Sequence, residues 1–303
     1  MAIFPLFMTT PPTATPSQGP VPLGGLLSET FAYCKAHWQP LAVGVVIFGV
    51  VMGVISSSLA VTAGGAMMKG MNEMGLDTER MQQLAERMEQ GDEAAMDELE
   101  QLLAGEFDGM TDDQIAGRMG GPVAGMMATM VPAIGLSLVI TWILSLLAFA
   151  YYAIVAVEGK DVNGTLSRVK SVFFSLFLVN LWTMLRSFIW IPILGLIPAI
   201  ILGPRFVAAP LIHLTEGKGV TASVSESYRR TRGYWAKIAG NVIVAGLVAM
   251  VVTIVVDIAL GLVLMASPPA MLIAKQIVSQ AVAAYMAVFT VRLSHTILKH
   301  PQA

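Results

Sequence analysis

The chain has 303 residues, 55% of them hydrophobic and only 13% charged, with a formal net charge of −2. Soluble domains carry about 25% charged residues, so this composition, with a mean hydropathy of +0.71, excludes an ordinary water-soluble globular protein. The single cysteine, Cys34, excludes an intrachain disulfide and a cysteine-based metal site and reads as a buried spectator thiol.

In chain order, residues 1–21 read as a disordered N-terminal tail. The apolar run Ala2–Met8 is short, broken by Pro5 and preceded by no Lys or Arg, which argues against a signal peptide. The Thr/Pro/Ser-rich stretch after it cannot build a core. Six runs then meet or approach the roughly 20 apolar residues that a helix needs to cross a bilayer. They are Leu41–Met67, Met126–Val157, Val172–Ile191, Ile193–Leu214, Asn241–Met265 and Met271–Ile297. The expected fold is all-α: a polytopic membrane protein with about six transmembrane helices over 22–303, insertion relying on the first span as an uncleaved anchor.

The charges are segregated. Between Met67 and Val123 lie 14 of the 20 acids and only Lys69, Arg80, Arg87 and Arg118 as bases. This acidic, Met-rich insertion, 68–124, interrupts the membrane domain. Met74, Met81, Leu84 and Met88 recur at helical spacing, Gly91 breaks the pattern, Asp92 can cap a second helix with Met96, Leu99 and Leu103 on its apolar face, and Thr111 with Gln114 fits a capping box for a third. A helical hairpin is expected, docking on the membrane domain, a partner membrane protein or a second copy. The dense methionines read as adaptable filler rather than a copper site, because no His or Cys joins them. Asp108, Asp112 and Asp113 lack the spacing of a calcium loop.

Topology follows from Lys and Arg, which accumulate on the cytoplasmic side of short loops. Lys35, Lys160, Arg168, Lys170, Lys218, Arg229, Arg230, Arg232, Lys237 and Lys299 all fall on one side if there are six spans. Both termini are then cytoplasmic. The insertion and two short connections, centred on Trp190–Pro192 and Ser267–Pro269, lie outside.

Two segments resemble each other at an offset of 197 residues (235 − 38): Leu27–Trp38 and Val224–Trp235. Ser28, Glu29 and Trp38 match Ser225, Glu226 and Trp235. Each reads as an amphipathic helix on the cytoplasmic interface, with Ser28 or Ser225 as cap, leading into a span. Trp38 and Trp235 belong at headgroup depth. Arg229, Arg230 and Arg232 face water or anionic lipid, and Arg205, just after Gly203 and Pro204 interrupt the fourth span, contacts lipid phosphate or pairs with Glu216 or Glu226.

The stretch Gly195–Gly240 holds Gly-Leu-Ile-Pro, then Leu-Gly-Pro-Arg-Phe ending at Phe206, then Ala-Pro-Leu-Ile, Glu216-Gly-Lys-Gly and a helix carrying Ser227, Gly233 and Trp235. It resembles bacterial multi-pass proteins related to the membrane domain of glycerophosphoryl diester phosphodiesterases. The resemblance, over Gly24–Lys299 without the insertion, implies a bacterial inner-membrane location and supports fold more than function. No stretch outside the spans is long enough for the catalytic domain of those phosphodiesterases.

Arg186, Asp257 and Lys275 form a candidate intramembrane charge cluster, in which Asp257 and Lys275 could share a depth. A register-fixing ion pair is the preferred reading and a proton or ion pathway the sharper one. His37, His213, His295 and His300 lack metal-ligand spacing, and no P-loop, His-Glu-x-x-His or Gly-x-Ser-x-Gly occurs. The sequence therefore points to a non-catalytic membrane protein that organises lipids or partner proteins at the envelope, without cofactor or nucleic-acid partner. The alternative is a small-solute or ion transporter using a polar cavity lined by Asn180, Arg186, Asn241, Thr253 and Asp257.

Overall fold

The computed structural model describes residues 23–73, 80, 83–84, 87–88, 92, 94–99, 111–188, 197–263 and 267–299, which are helical apart from short turns and caps and include no strand. The helices are α1 Leu23–Ala36, α2 Trp38–Glu73, α3 Asp112–Glu158, α4 Val162–Phe188, α5 Ile197–Phe206, α6 Ala209–Glu216, α7 Val220–Arg230, α8 Trp235–Val263 and α9 Pro268–Lys299. Five helices among the described residues are long and apolar enough to cross a membrane: α2, α3 from Gly120, α4, α8 and α9. This is the signature of an integral membrane protein. On α8 the apolar side chains are bare: Met250 is 59% exposed, Val255 61% and Ile258 62%. Such surface is stable against hydrocarbon and costly against water.

The fourth expected span, Ile193–Leu214, is described from residue 197 and is not one continuous helix. Its described part is α5 and α6, parted at Val207 and Ala208. The break falls after Pro204 rather than at it, because α5 runs on through that proline. Pro210 in the first turn of α6 starts the new helix, where its missing N–H costs nothing. Ending a helix orphans its last carbonyls. Here Arg205 O accepts from Ser227 Oγ (2.8 Å) and shares the Thr231 hydroxyl (3.0 Å) with Ser227 O (2.7 Å), and Val207 O accepts from Ser294 Oγ (3.4 Å).

Two compact units are distinguished by their internal contacts: Met1–Val46 with Leu146–Asp257 and Val278–Ala303, and Ile47–Ser145 with Ile258–Ile277. In the first, α4 packs on α5, α6 and α7, and Val179, Phe206, Ala209 and Val224 form one buried cluster. A second cluster gathers Leu26, Tyr234, Ile238, Ala245, Phe289, Leu293 and Ile297. Tyrosines tie the helices through carbonyls: Tyr151 Oη donates to Pro40 O at 2.8 Å and Tyr285 Oη to Leu27 O at 3.2 Å. Gly44 leaves room for the Tyr151 ring, whose Cε1 lies 2.5 Å from where a Cβ would stand.

In the second unit, Gly49 and Gly53 lie one turn apart on α2. A Cβ on either would stand 2.7 Å from a backbone Cα of α9, that of Ile277 or Ile273 respectively. Small residues four apart let two membrane helices approach at backbone distance. The insertion carries Leu84 and Ala95 buried, and Glu98 accepts from both Arg80 (3.0 Å) and Arg87 (2.8 Å). Asp92 caps the helical residues 94–99 through Ala94 N–H to Oδ1 (3.1 Å). Two expectations change. Met96 is 65% exposed, its place on the buried face taken by Ala95. The third short helix is not separate: it is the start of α3, which continues through Pro122 into the span. Its capping box is present in one half, Thr111 N–H donating to Gln114 Oε1 at 3.0 Å. The expected tail 1–21 and Met74, Met81, Gly91, Leu103, Asp108, Trp190–Pro192 and His300 lie outside the described residues.

Candidate functional site

Each of the two similar segments forms a corner, a short helix followed by the start of a long one. α1 and α7 begin at Leu23 and Val220, α2 and α8 at Trp38 and Trp235, so both pairs of starts keep the 197-residue offset. Each short helix buries one hydroxyl residue at the equivalent position, Thr30 and Ser227. Ser28 and Ser225, expected as caps, are instead mid-helix, because both helices start five residues earlier. The cap of α7 is Gly219, in an extended conformation.

A second likeness, at an offset of 58 (216 − 158), escaped the sequence reading although the residues are plain to see. Glu158-Gly-Lys160-Asp-Val162 and Glu216-Gly-Lys218-Gly-Val220 each close a helix and open the next. Gly159 and Gly217 both sit in the left-handed region, at φ 60° and 63°, which suits glycine. Thr165 Oγ1 donates to Lys160 O and Ser223 Oγ to Lys218 O, the same hydrogen bond made twice.

The ionic groups of α6 and α7 are largely consumed by one another. Arg230 donates bidentately to Glu216 (2.6 and 3.1 Å) and through Nε to Glu226 (2.6 Å). Lys218 reaches Glu216 at 2.9 Å, and Arg229 also grips Glu226. The hydrogen bond from Arg229, reinforced by Arg230 and Lys218, holds the Glu226 carboxyl down at about 2. Arg229 and Arg230, expected to face water or anionic lipid, are engaged in a clasp, in which Arg229 keeps 74% of its side chain exposed. Arg232 is exposed.

Arg205 has neither expected acid. Glu216 and Glu226 are taken by the clasp, and its guanidinium lies 4.8 Å from the centre of the Tyr228 ring. Its buried Nε has no hydrogen-bond partner among the described residues. Trp38 is 61% exposed, whereas Trp235 is half-buried and its Nε1 has no hydrogen-bond partner among the described residues.

Of the three charges expected within the membrane, Arg186 is exposed and lies 5.9 Å over the Trp182 ring. Asp257 and Lys275 are half-buried, and none of the three enters a salt bridge among the described residues. Asn180 and Thr253, named as cavity-lining groups, donate to carbonyls of their own helices, Leu176 O and Ala249 O. His213 bonds Lys218 O at 2.7 Å and Ser175 Oγ at 2.8 Å, tying α6 to α4.

The sequence reading also passed over Arg292. It lies on α9, 4.2 Å over the Tyr33 ring, and its buried Nε is unpartnered among the described residues. A cleft of about 350 Å³ opens beside it, lined by Tyr33, Glu158, Gly159, Thr215, Arg292 and His295 among others. The sequence signal was faint: one Arg seven residues before Lys299, near the end of an apolar run.

No protein-family model, curated protein or solved structure matches the chain.

Proposed function

We propose that the chain is a non-catalytic integral protein of the bacterial inner membrane, whose short-helix end engages anionic lipid headgroups and through them organises lipids or partner proteins. One observation carries the reading. Arg205 is a permanent cation at the end of a helix, stacked on Tyr228, while both nearby acids are already matched to other bases. A half-buried guanidinium without a carboxylate is stabilised by an external anion, and phosphate suits its fork of donors. The exposed Trp38 and Arg232 and the interfacial character of α7 add to this.

The finer topology belongs to the same proposal: six spans, with α5 and α6 as a broken fourth crossing, the insertion outside and the matched corners in the cytoplasm. The 10 and 8 residues of α5 and α6 supply about 27 Å of helix at most, against a hydrocarbon core of about 30 Å. A break at that depth is tolerated where the freed carbonyls have partners, as Arg205 O and Val207 O do. A reporter fused near Gly91 should appear outside the membrane; a cytoplasmic signal would overturn this arrangement. For function, the chain is extracted with its native lipid and the bound lipids and co-purifying proteins are identified by mass spectrometry. Anionic lipid enriched over the bulk membrane, and less so in Arg205→Gln, is the expected result. Recovery of bulk lipid composition with no partner would refute the reading.

A further inference from the structure

We propose that the cleft beside Arg292 binds a phosphate group, carried by a lipid headgroup or free in solution. The proposal deepens the lipid reading above and rests on it for the lipid as source. Its walls come from α1, the end of α3, α6 and α9, all within the first compact unit. Its volume, about 350 Å³, falls within the range of roughly 300–1,000 Å³ usual for small-molecule sites.

The charge arithmetic of the walls favours an anion. Glu158 is the acid of the lining, and its carboxylate is already bridged by Lys160 at 2.7 Å and Arg168 at 3.0 Å. Within the lining Glu158 and Arg292 cancel, and the two bases that bridge Glu158 from outside the lining bring these four groups to +2. Arg292 has no ion-pair partner among the described residues, and its Nε is buried and unsatisfied. A buried donor left unpaired is costly, and here it belongs to a permanent cation that a ligand can reach through the cleft. Tyr33 fixes the guanidinium plane from one side by stacking. The Tyr33 hydroxyl cannot swing toward the ligand, because it donates to Val155 O at 2.6 Å. The ring therefore acts as a platform and Arg292 as the binding fork. Thr215 is likewise committed, donating to Leu211 O at 2.8 Å, so the specificity of the site falls on Arg292. His295, exposed at the rim, supplies a reporter.

The test uses the full chain in dodecyl maltoside micelles. Carbethoxylation of His295 by diethyl pyrocarbonate is followed by peptide mass spectrometry while dioleoyl phosphatidic acid, dioleoylglycerol or sodium phosphate is titrated in. Phosphatidic acid should slow modification of His295 in the unaltered chain and dioleoylglycerol should not. Protection by sodium phosphate as well would identify free phosphate as a sufficient ligand; protection by the lipid alone would identify the headgroup with its chains. Arg292→Gln should raise the half-protecting concentration at least tenfold, and Lys69→Gln, at a residue outside the cleft lining, should leave it unchanged. Equal protection by dioleoylglycerol, no protection by either phosphate source, or unaltered affinity in Arg292→Gln each overturns the proposal. Should Arg292→Gln not fold, the comparison of ligands on the unaltered chain still decides. Retained lipid enrichment in the native extraction alongside an indifferent Arg292→Gln would remove the cleft and leave the lipid reading standing.

Discussion

Replacing Gly53 by alanine should weaken the packing of α2 on α9, and the size of the effect can be worked from distances. The new Cβ would lie 2.7 Å from Ile273 Cα. That neighbour is backbone and cannot swing aside as a side chain could. Reaching an ordinary contact of 3.4 Å requires the two helices to part locally by 0.7 Å (3.4 − 2.7). Overpacking of this kind costs about 1–3 kcal/mol, while exchanging Gly for Ala inside a helix returns up to about 1 kcal/mol. A net loss of about 0–2 kcal/mol remains, against a gain of up to about 1 kcal/mol where the site is open. Gly49→Ala should cost the same, since its Cβ meets Ile277 Cα at 2.7 Å. The double variant should cost less than the sum, because one separation relieves both clashes. Gly246→Ala on α8, where a Cβ meets nothing within 4 Å, serves as control and should be neutral or slightly stabilising. Reversible unfolding by sodium dodecyl sulfate in mixed micelles measures all four. If Gly53→Ala proves as stable as Gly246→Ala, the interlock does not hold the helices and the argument from backbone approach is wrong.

Other outcomes follow from the short-helix end. The depressed Glu226 carboxyl stabilises the α6–α7 clasp above its ordinary value of 4.5, and this contribution is lost as pH falls through about 2. Hydrogen exchange in α7 should therefore keep its protection down to pH 4 relative to a Glu226→Gln chain; identical profiles above pH 5 would refute the clasp. Ser227→Ala and Thr231→Val each remove one donor from Arg205 O and should cost about 1 kcal/mol apiece in the same unfolding assay. The pair should cost more than the sum, because only then does the carbonyl lose both hydroxyls; simple additivity would count against shared capping. Burial pushes the Cys34 thiol up to about 11. A water-soluble maleimide at pH 7.5 should label it about 300-fold more slowly than a thiol of pKa 8.5. Labelling within tenfold of a free thiol would contradict its burial.

Five helices long and apolar enough to cross a membrane were legible because lipid is read by composition alone: an apolar run needs no register to be recognised. Helix ends were not. α2 continues past Met67 to Glu73, and α3 starts at Asp112, well before Met126. Hydropathy marks where the hydrocarbon ends, whereas backbone hydrogen bonding carries a helix on into polar sequence. The likeness at 197 residues was noticed through its aromatic and acidic matches, and the helix starts keep the same offset. Its caps were misplaced because a serine followed by an acid looks alike at a helix start and in a helix interior. Arg205 was singled out from its proline and glycine context. Arg292 was not, because a cation is sought beside acids in sequence and this one rests on an aromatic ring from the other end of the chain.

The twin Glu-Gly-Lys bends bear on how the chain tolerates change. Each is self-contained: a left-handed glycine, a hydroxyl returning to the lysine carbonyl, and a glutamate neutralised by bases that follow it. A joint specified by eight consecutive residues carries its own geometry wherever it is transplanted. Helices on either side can therefore drift in sequence, lengthen or acquire whole inserts, while the elbows keep their own geometry.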